Sequence, residues 1–347
     1  MKKLLKRLGE ELAAGRGAVL CSVVDSQGSA PRGAGARLLL LENGETTGTV
    51  GGGAVEYRAV ELAGELLKRR SSHLQSYRLS PGGAEDTGMI CGGGVEIYFQ
   101  YFDPADPAAQ RLIAESLLLL ESGRASWLVT EIGEDAWHMG LYDRQDGLRG
   151  LEVPPERLEP LLGAQGRLDG GPPALYVEPL CSGGTVYLFG GGHVARALAK
   201  ILAMADFRVV VWDQRPQAEP FFPDAAAFHC GPFAGALEKL PPVTQEDYAV
   251  IMTPGHQWDC EVLSQVLRTP AKYIGCIGSR SKTAAARERL LAGGFSGEEI
   301  DRVYAPIGLP IGGKAPAEVA VSVAAQLIAC RYGRLEGFPR EFLPERE

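Results

Sequence analysis

No apolar run in this 347-residue chain approaches the length that crossing a bilayer as a helix requires. The opening segment, MKKLLKRLGEELAAG, carries basic residues but lacks the apolar core of a signal peptide, and its spacing predicts an amphipathic first helix. CxxC pairs are absent too. The seven cysteines are odd in number and scattered, which argues against a disulfide framework and a structural zinc site and for a reducing, cytoplasmic setting. Positive charge is in deficit, 35 Lys and Arg against 43 Asp and Glu, a net charge of −8. That balance argues against non-specific binding to nucleic acid or to anionic membranes. There is no internal repeat, no low-complexity tract and no HExxH spacing. What remains is an ordinary globular composition, 45% apolar, long enough for two or three domains.

The front of the chain reads as mixed α+β. Residues 18–24 form a strand-like run, followed by the polar loop DSQGSAPRGAG. Residues 36–41 and 46–50 flank Asn43-Gly44, a hairpin signal. Gly51, Gly52 and Gly53 then open a helix over 54–70 whose Val55, Ala59, Leu62, Ala63 and Leu66 share one face. A strand at 76–80, the loop DTGMICGGG, a strand at 95–102 and a helix that starts after Asp106 and reaches about Glu121 follow. Further strands are expected at 126–132 and 137–142, with a short helix near 155–162. Residues 143–173 otherwise carry little pattern and read in part as connector. Past Cys181-Ser182-Gly183-Gly184, strands and helices alternate: strands at 186–189, 208–212, 226–229, 248–253 and 272–277, helices at 193–204, 258–268, 279–292 and 315–332. Alternation of that kind predicts a doubly wound parallel sheet. The expected division is 1–105, a middle α+β segment and connector over 106–182, a Rossmann-like domain over 183–335, and a tail over 336–347.

The most informative stretch is VYLFGGGHVARALAKILAMADFRVVVWD, residues 186–213. A strand runs into Gly190, Gly192 and Ala195, which fit G-x-G-x-x-A, and about 20 residues later a second strand ends in Asp213. In this fingerprint Gly190 allows the tight turn, Gly192 lets backbone approach a pyrophosphate, and Ala195 permits close helix–strand packing. The helix start supplies N–H groups and positive dipole to phosphates, with Gly191 and His193 in the same loop. Asp213 would accept from a ribose 2′-OH, favouring NAD or another adenosine ligand without a 2′-phosphate.

Several motifs together carry a family resemblance: GSAPRGAGARLLL, GTVGGGAVE and GMICGGGVEIYF in the front half, then VYLFGGGHVA, YIGCIGSRSK and APIGLPIGGKAPAEVAVSVAAQLIA. With them the chain resembles the XdhC/CoxI family of accessory factors for xanthine dehydrogenase and related molybdenum hydroxylases. The likeness runs from about residue 17 to 332 and is thinnest over 105–180. It implies a maturation factor more than a turnover enzyme. Such a factor would bind molybdenum cofactor, a pterin dithiolene phosphate either free or attached to a nucleotide. It would then help a cysteine desulfurase replace an oxo ligand with sulfur and deliver the product to the apo-hydroxylase, with a homodimer as the expected assembly. By the same resemblance Cys91 is the family's loop cysteine, as metal ligand or sulfur relay, Arg32 the arginine of S-x-P-R, and Glu56 the glutamate after the first glycine run. Ala54 departs from the cysteine many members carry there. Thr253-Pro254-Gly255-His256 departs from the usual polar residue after the threonine.

On their own chemistry these residues allow plainer readings as well. Cys91, between Met89-Ile90 and Gly92-Gly93-Gly94, is either a small buried hydrophobe or a thiol whose pKa loop N–H groups lower. Gly51 to Gly53 either close a sharp turn or form an anion nest, and Glu56 either serves that site or complements the helix dipole. Ser279, Arg280 and Lys282 follow a strand's C-terminal end and make either a second phosphate contact or a solvated helix start. His229, His256 and Asp259 lack a metal-ligand spacing, and the remaining six cysteines, Cys276 and Cys330 among them, read as packing residues. Two other functions fit the Rossmann fingerprint alone: an NAD-dependent oxidoreductase and a nucleotide-sensing regulator.

Overall fold

The computed structural model describes residues 1–28, 32–78, 93–133, 138–181 and 183–335, with the side chains of residues 256 and 280 outside that description. The chain divides into two compact units, Met1–Ser182 and Gly183–Glu347.

The first unit begins with helix α1 (Lys2–Ala13), whose Leu4, Leu5, Leu8 and Leu12 fall on one buried face, as its spacing predicts. Strands β1 (Ala18–Gln27), β2 (Arg37–Leu41) and β3 (Thr46–Thr49) lead to helix α2 (Gly53–Arg69), then to strands β4 (His73–Arg78) and β5 (Gly94–Phe102). These five strands form an antiparallel sheet in the order β3-β2-β1-β5-β4. Alternation along β1 sorts its residues. Val19, Cys21 and Val23 pack with Val55, Ala59, Ala63 and Leu66 of α2, while Ala18 and Leu20 turn toward the leucines of α1.

The rest of this unit comprises helix α3 (Pro107–Ser122), strands β6 (Ser126–Glu131), β7 (Met139–Asp143) and β8 (Gly147–Arg149), helix α4 (Pro155–Leu158), and strands β9 (Arg167–Asp169) and β10 (Leu175–Cys181). Asp106 caps α3 through Ala108 N, with Pro107 at the first helical position. The strands make a second antiparallel sheet, β8-β7-β6-β10-β9. The stretch expected to be in part connector therefore holds β8 and β9 besides the α4 turn. Both strands are short, and the Arg157–Asp169 ion pair ties the α4 turn to β9 (2.6 Å).

The second unit has the expected parallel sheet. Its strands are β11 (Thr185–Phe189), β12 (Arg208–Asp213), β13 (Ala227–Cys230), β14 (Tyr248–Ile251), β15 (Tyr273–Cys276) and β16 (Val303–Tyr304), in the order β13-β12-β11-β14-β15-β16. Between them run helices α5 (His193–Met204), α6 (His256–Val266), α7 (Arg280–Ala292) and α8 (Gly297–Ile300), and α9 (Pro316–Arg331) closes the unit. Both faces of the sheet are covered. Val186 and Leu188 of β11 pack beneath α5 and α9, whereas Tyr187 and Phe189 point to the α6–α7 side. The strand order reverses between β11 and β14, so the crevice where doubly wound sheets hold ligands lies beyond the ends of those two strands. Among the described residues no helix is long and apolar enough to cross a membrane.

Candidate functional site

Each part of the Gly190 turn has a physical cause. Gly190 has φ 111°, and a Cβ there would overlap the Met252 carbonyl oxygen at the end of β14, so only glycine serves. Its N–H donates to the Trp212 carbonyl (2.8 Å), which anchors the turn to β12. Gly191 is equally hemmed in: a Cβ would stand 3.1 Å from both Asp213 Oδ2 and Ala218 Cβ. Gly192 is the opposite case. A Cβ there would meet no atom within 4 Å, so open space lies before it, and α5 starts at the next residue with first-turn N–H groups that a helix leaves unpaired. His193 is exposed at that start and Ala195 is fully buried against the sheet. A narrow turn with one open glycine at a helix start is a geometry that a phosphate group fits.

Asp213 departs from its expected use. It is fully buried, and its carboxylate is engaged on all sides. Oδ1 accepts from Arg215 N and Arg215 Nε (2.8 Å each), while Oδ2 accepts from Gly191 N (2.5 Å) and Arg215 Nη2 (2.8 Å). Burial works to raise its pKa, but the hydrogen bonds from Arg215 and from the Gly191 and Arg215 backbone hold it below the usual carboxylate range. The group expected to read a ribose is thus occupied within the chain, because an arginine two residues on folds back over it.

The first glycine run shows a similar arrangement. Gly51, Gly52 and Gly53 have φ of 137°, 74° and 61°, three successive positive values that glycine alone adopts without strain. Glu56, from the first turn of α2, fills the loop they form: Oε2 accepts from Val50 N and Gly52 N (3.1 Å each) and from the Thr49 hydroxyl. Gly51 N donates to Thr49 Oγ1 (3.1 Å). Burial pushes the Glu56 pKa up, and the Thr49 and backbone hydrogen bonds outweigh it, leaving the carboxyl below its usual value. The loop therefore already holds an anion, the chain's own.

The other expected residues lie on separate elements. Arg32 is exposed in the segment between β1 and β2, and Gly93 directly precedes β5. Cys91 and Gly92 lie outside the described residues. Ser279 caps α7, accepting from Lys282 N (3.4 Å), which is the helix-start reading; Lys282 itself is exposed. Arg280 begins that helix. His229 stacks on Trp212 with centroids 5.9 Å apart, and Asp259 is bound to Thr253 N and to its hydroxyl (2.5 Å) at the end of β14. No group of three metal-ligating side chains occurs among the described residues. Cys21, Cys276 and Cys330 are buried as expected, but Cys230 is exposed, because it ends the edge strand β13.

Three residues beside the glycine turn escaped the sequence reading. Arg215 ends the D-x-R that begins with the last residue of β12; Arg196 immediately follows Ala195 and donates Nε to Gly191 O (3.3 Å); the ring centroid of Phe221, 47% exposed, lies 3.6 Å from the Arg196 guanidinium carbon. The signal available was an arginine two residues past the fingerprint's acid, a position where a side chain can fold back on it.

Comparison with known proteins finds a family match in each unit. A family model described as the XdhC Rossmann domain matches residues 186–327, and one described as the XdhC and CoxI family matches 11–78; together they cover more than half of the chain. Among curated proteins, the chain is 25% identical over 312 residues to the uncharacterized protein YqeB of Escherichia coli K12, spanning 89% of this chain but only 42% of that protein's length. It is 27% identical over 336 residues to a Bacillus subtilis 168 protein named as a probable xanthine dehydrogenase subunit, covering 90% of this chain and 93% of the relative. It is 23% identical over 337 residues to the molybdenum cofactor insertion chaperone PaoD of Escherichia coli K12, covering 96% and 90%. A crystal structure described as a xanthine dehydrogenase from Bacillus halodurans matches with a TM-score of 0.76 at 24% identity, over 97% of this chain and 99% of that one, a likeness of fold.

Proposed function

Because the chain belongs to the XdhC and CoxI family, we propose that it is an accessory factor that binds molybdenum cofactor and assists its sulfuration and insertion into a xanthine dehydrogenase-like hydroxylase. The observation that carries this reading is end-to-end similarity to a relative named as a molybdenum cofactor insertion chaperone, over 96% of this chain and 90% of that one. The cofactor is cargo here, and the chain's own groups act by holding and orienting it.

In this reading the Gly190–His193 turn takes the phosphate end. Gly192 offers open space, the α5 start offers N–H donors, and Arg196 and Arg215 stand on either side of Gly191 as cations. The front unit supplies Cys91 as the thiol for metal ligation or sulfur relay, since a thiolate suits both. Arg32, exposed and flanked by small residues, suits bidentate contact with a phosphate. Glu56 holds the Gly51–Gly53 turn in shape and leaves the anion contacts to other groups. A cysteine desulfurase as sulfur donor, an apo molybdenum hydroxylase as recipient, and pairing of two copies complete the proposal.

The test is anaerobic reconstitution of an apo-hydroxylase with cofactor, a cysteine desulfurase and the intact chain or Cys91→Ala. The expected result is that Cys91→Ala keeps its circular dichroism and melting temperature but yields hydroxylase lacking the sulfur ligand and its activity. Normal maturation by that variant would remove Cys91 from the account. Failure of the intact chain to raise maturation at all would contradict the accessory role.

A further inference from the structure

At the C-terminal end of β12 the side chain that meets solvent is a cation. Asp213 has no exposed surface, and a carboxylate with about four lone-pair directions accepts four hydrogen bonds inside the chain. A ribose hydroxyl could reach it only by displacing Arg215 or the Gly191 amide. The Arg215 side chain is 46% exposed. Its Nε and Nη2 are committed to Asp213, which fixes the plane of the guanidinium and leaves Nη1 outside the pair. Buried acid behind and guanidinium in front make a dipole whose positive end faces outward.

The Gly191 peptide ties a second cation to the same place. Its N–H donates to Asp213, the partner of Arg215, while its carbonyl accepts from Arg196. Arg196 is held in turn against the exposed ring of Phe221. Two positioned guanidinium charges thus stand against one buried carboxylate, beside the glycine of the turn that opens on space. The outer end of a guanidinium fixed in this way, Nη1 with the second Nη2 hydrogen, is what meets a phosphate oxygen. A hydroxyl-reading site would present an acceptor instead, and a nearby arginine is what accommodates a phosphate on the ribose in this fold.

We propose that Arg215, with Arg196 beside it, is the specificity-determining residue of the Rossmann unit, and that it selects a ligand bearing a phosphate monoester over the same ligand without one. This rests on the reading above that the Gly190–His193 turn binds the phosphate or nucleotide end of a ligand, and it reverses the preference for an unphosphorylated ribose that Asp213 suggested. Two sources carry that chemistry: a ribose 2′-phosphate, and the terminal phosphate of a pterin cofactor not attached to a nucleotide.

The experiment is equilibrium binding to the full chain of two matched pairs of probes. One pair is ADP-ribose and 2′-phospho-ADP-ribose; the other is the fluorescent oxidised pterin derivative of molybdenum cofactor with and without its phosphate. In the intact chain the phosphorylated member of at least one pair binds at least about tenfold more tightly, the gain a charge-assisted contact gives, and that pair identifies the source. Arg215→Ala loses the preference: the phosphorylated member falls by at least about tenfold relative to its unphosphorylated counterpart. Since Arg215→Ala leaves a buried carboxylate unpaired and can unfold the unit, the double variant Asp213→Asn/Arg215→Ala is measured beside it, with melting curves for both. A preference that persists without Arg215, or an intact chain that favours the unphosphorylated member, overturns the proposal. If those probes still lose affinity in Gly192→Val, the turn remains a ligand site and only its selectivity was misread. Failure of every probe to bind overturns both.

Discussion

Glu56 shows how a single carboxylate can convert a glycine-rich turn from a binding site into a structural joint. Its folded pKa is lowered, so its contribution is fully present above the unfolded value of 4.5 and is lost as pH falls through the lower folded value. We expect Glu56→Gln to cost about 1–2 kcal/mol at neutral pH and to flatten the loss of stability of the first unit below pH 4.5. Urea unfolding at pH 7 and in that acid window checks this. A variant as stable and as acid-sensitive as the parent would show that the Gly51–Gly53 turn does not depend on the carboxylate. Cysteine reactivity makes a second prediction at this scale. Cys230 is exposed, whereas burial pushes the Cys21 thiol far above its ordinary value. Peptide-level alkylation of the native chain should label Cys230 well before Cys21, which reacts only after unfolding. These residues also mark where sequence legibility stops. The positions of Glu56 and Asp213 were readable from spacing, but their partners were not: a motif places an acid near N–H groups without saying whether the chain will itself satisfy that acid, as Arg215 does for Asp213.

Elements with strong periodicity were legible. The parallel strands of the second unit are short apolar runs between helices, and the glycine turn could be placed because Gly190 and Gly192 sit at a strand end and a helix start. β10 was not, since Pro179 lies inside it and a proline argues against a paired strand; the pairing with β6 shifts register between Pro179 and Cys181, which is how the sheet tolerates it. β16 is two residues long and carries no pattern. The two outer glycines of the turn should separate under substitution. Gly190→Ala meets the Met252 carbonyl and an unfavourable φ, so it should destabilise the second unit by several kcal/mol, about 3 or more. Gly192→Val enters open space from an ordinary φ of −75° and costs only the poorer helix N-cap, about 1 kcal/mol. Calorimetry on both variants tests this; equal losses would mean the turn is not shaped as described.

At the scale of the molecule, composition set the class, and the alternation after residue 183 set the fold of the second unit, which the family model over 186–327 and the six-stranded parallel sheet both bear out. The first unit was less legible because short antiparallel strands, several of them only three to six residues long, leave a weaker local signal than strand–helix alternation. The proposed binding of molybdenum cofactor at the Gly190–His193 turn can be measured by anaerobic titration of that cofactor and of NAD into the intact chain and folded Gly192→Val. The intact chain should bind the cofactor tightly, and Gly192→Val at least about tenfold more weakly, with NAD the poorer ligand. Binding of NAD alone, or cofactor binding indifferent to Gly192→Val, would remove the turn as the cofactor site.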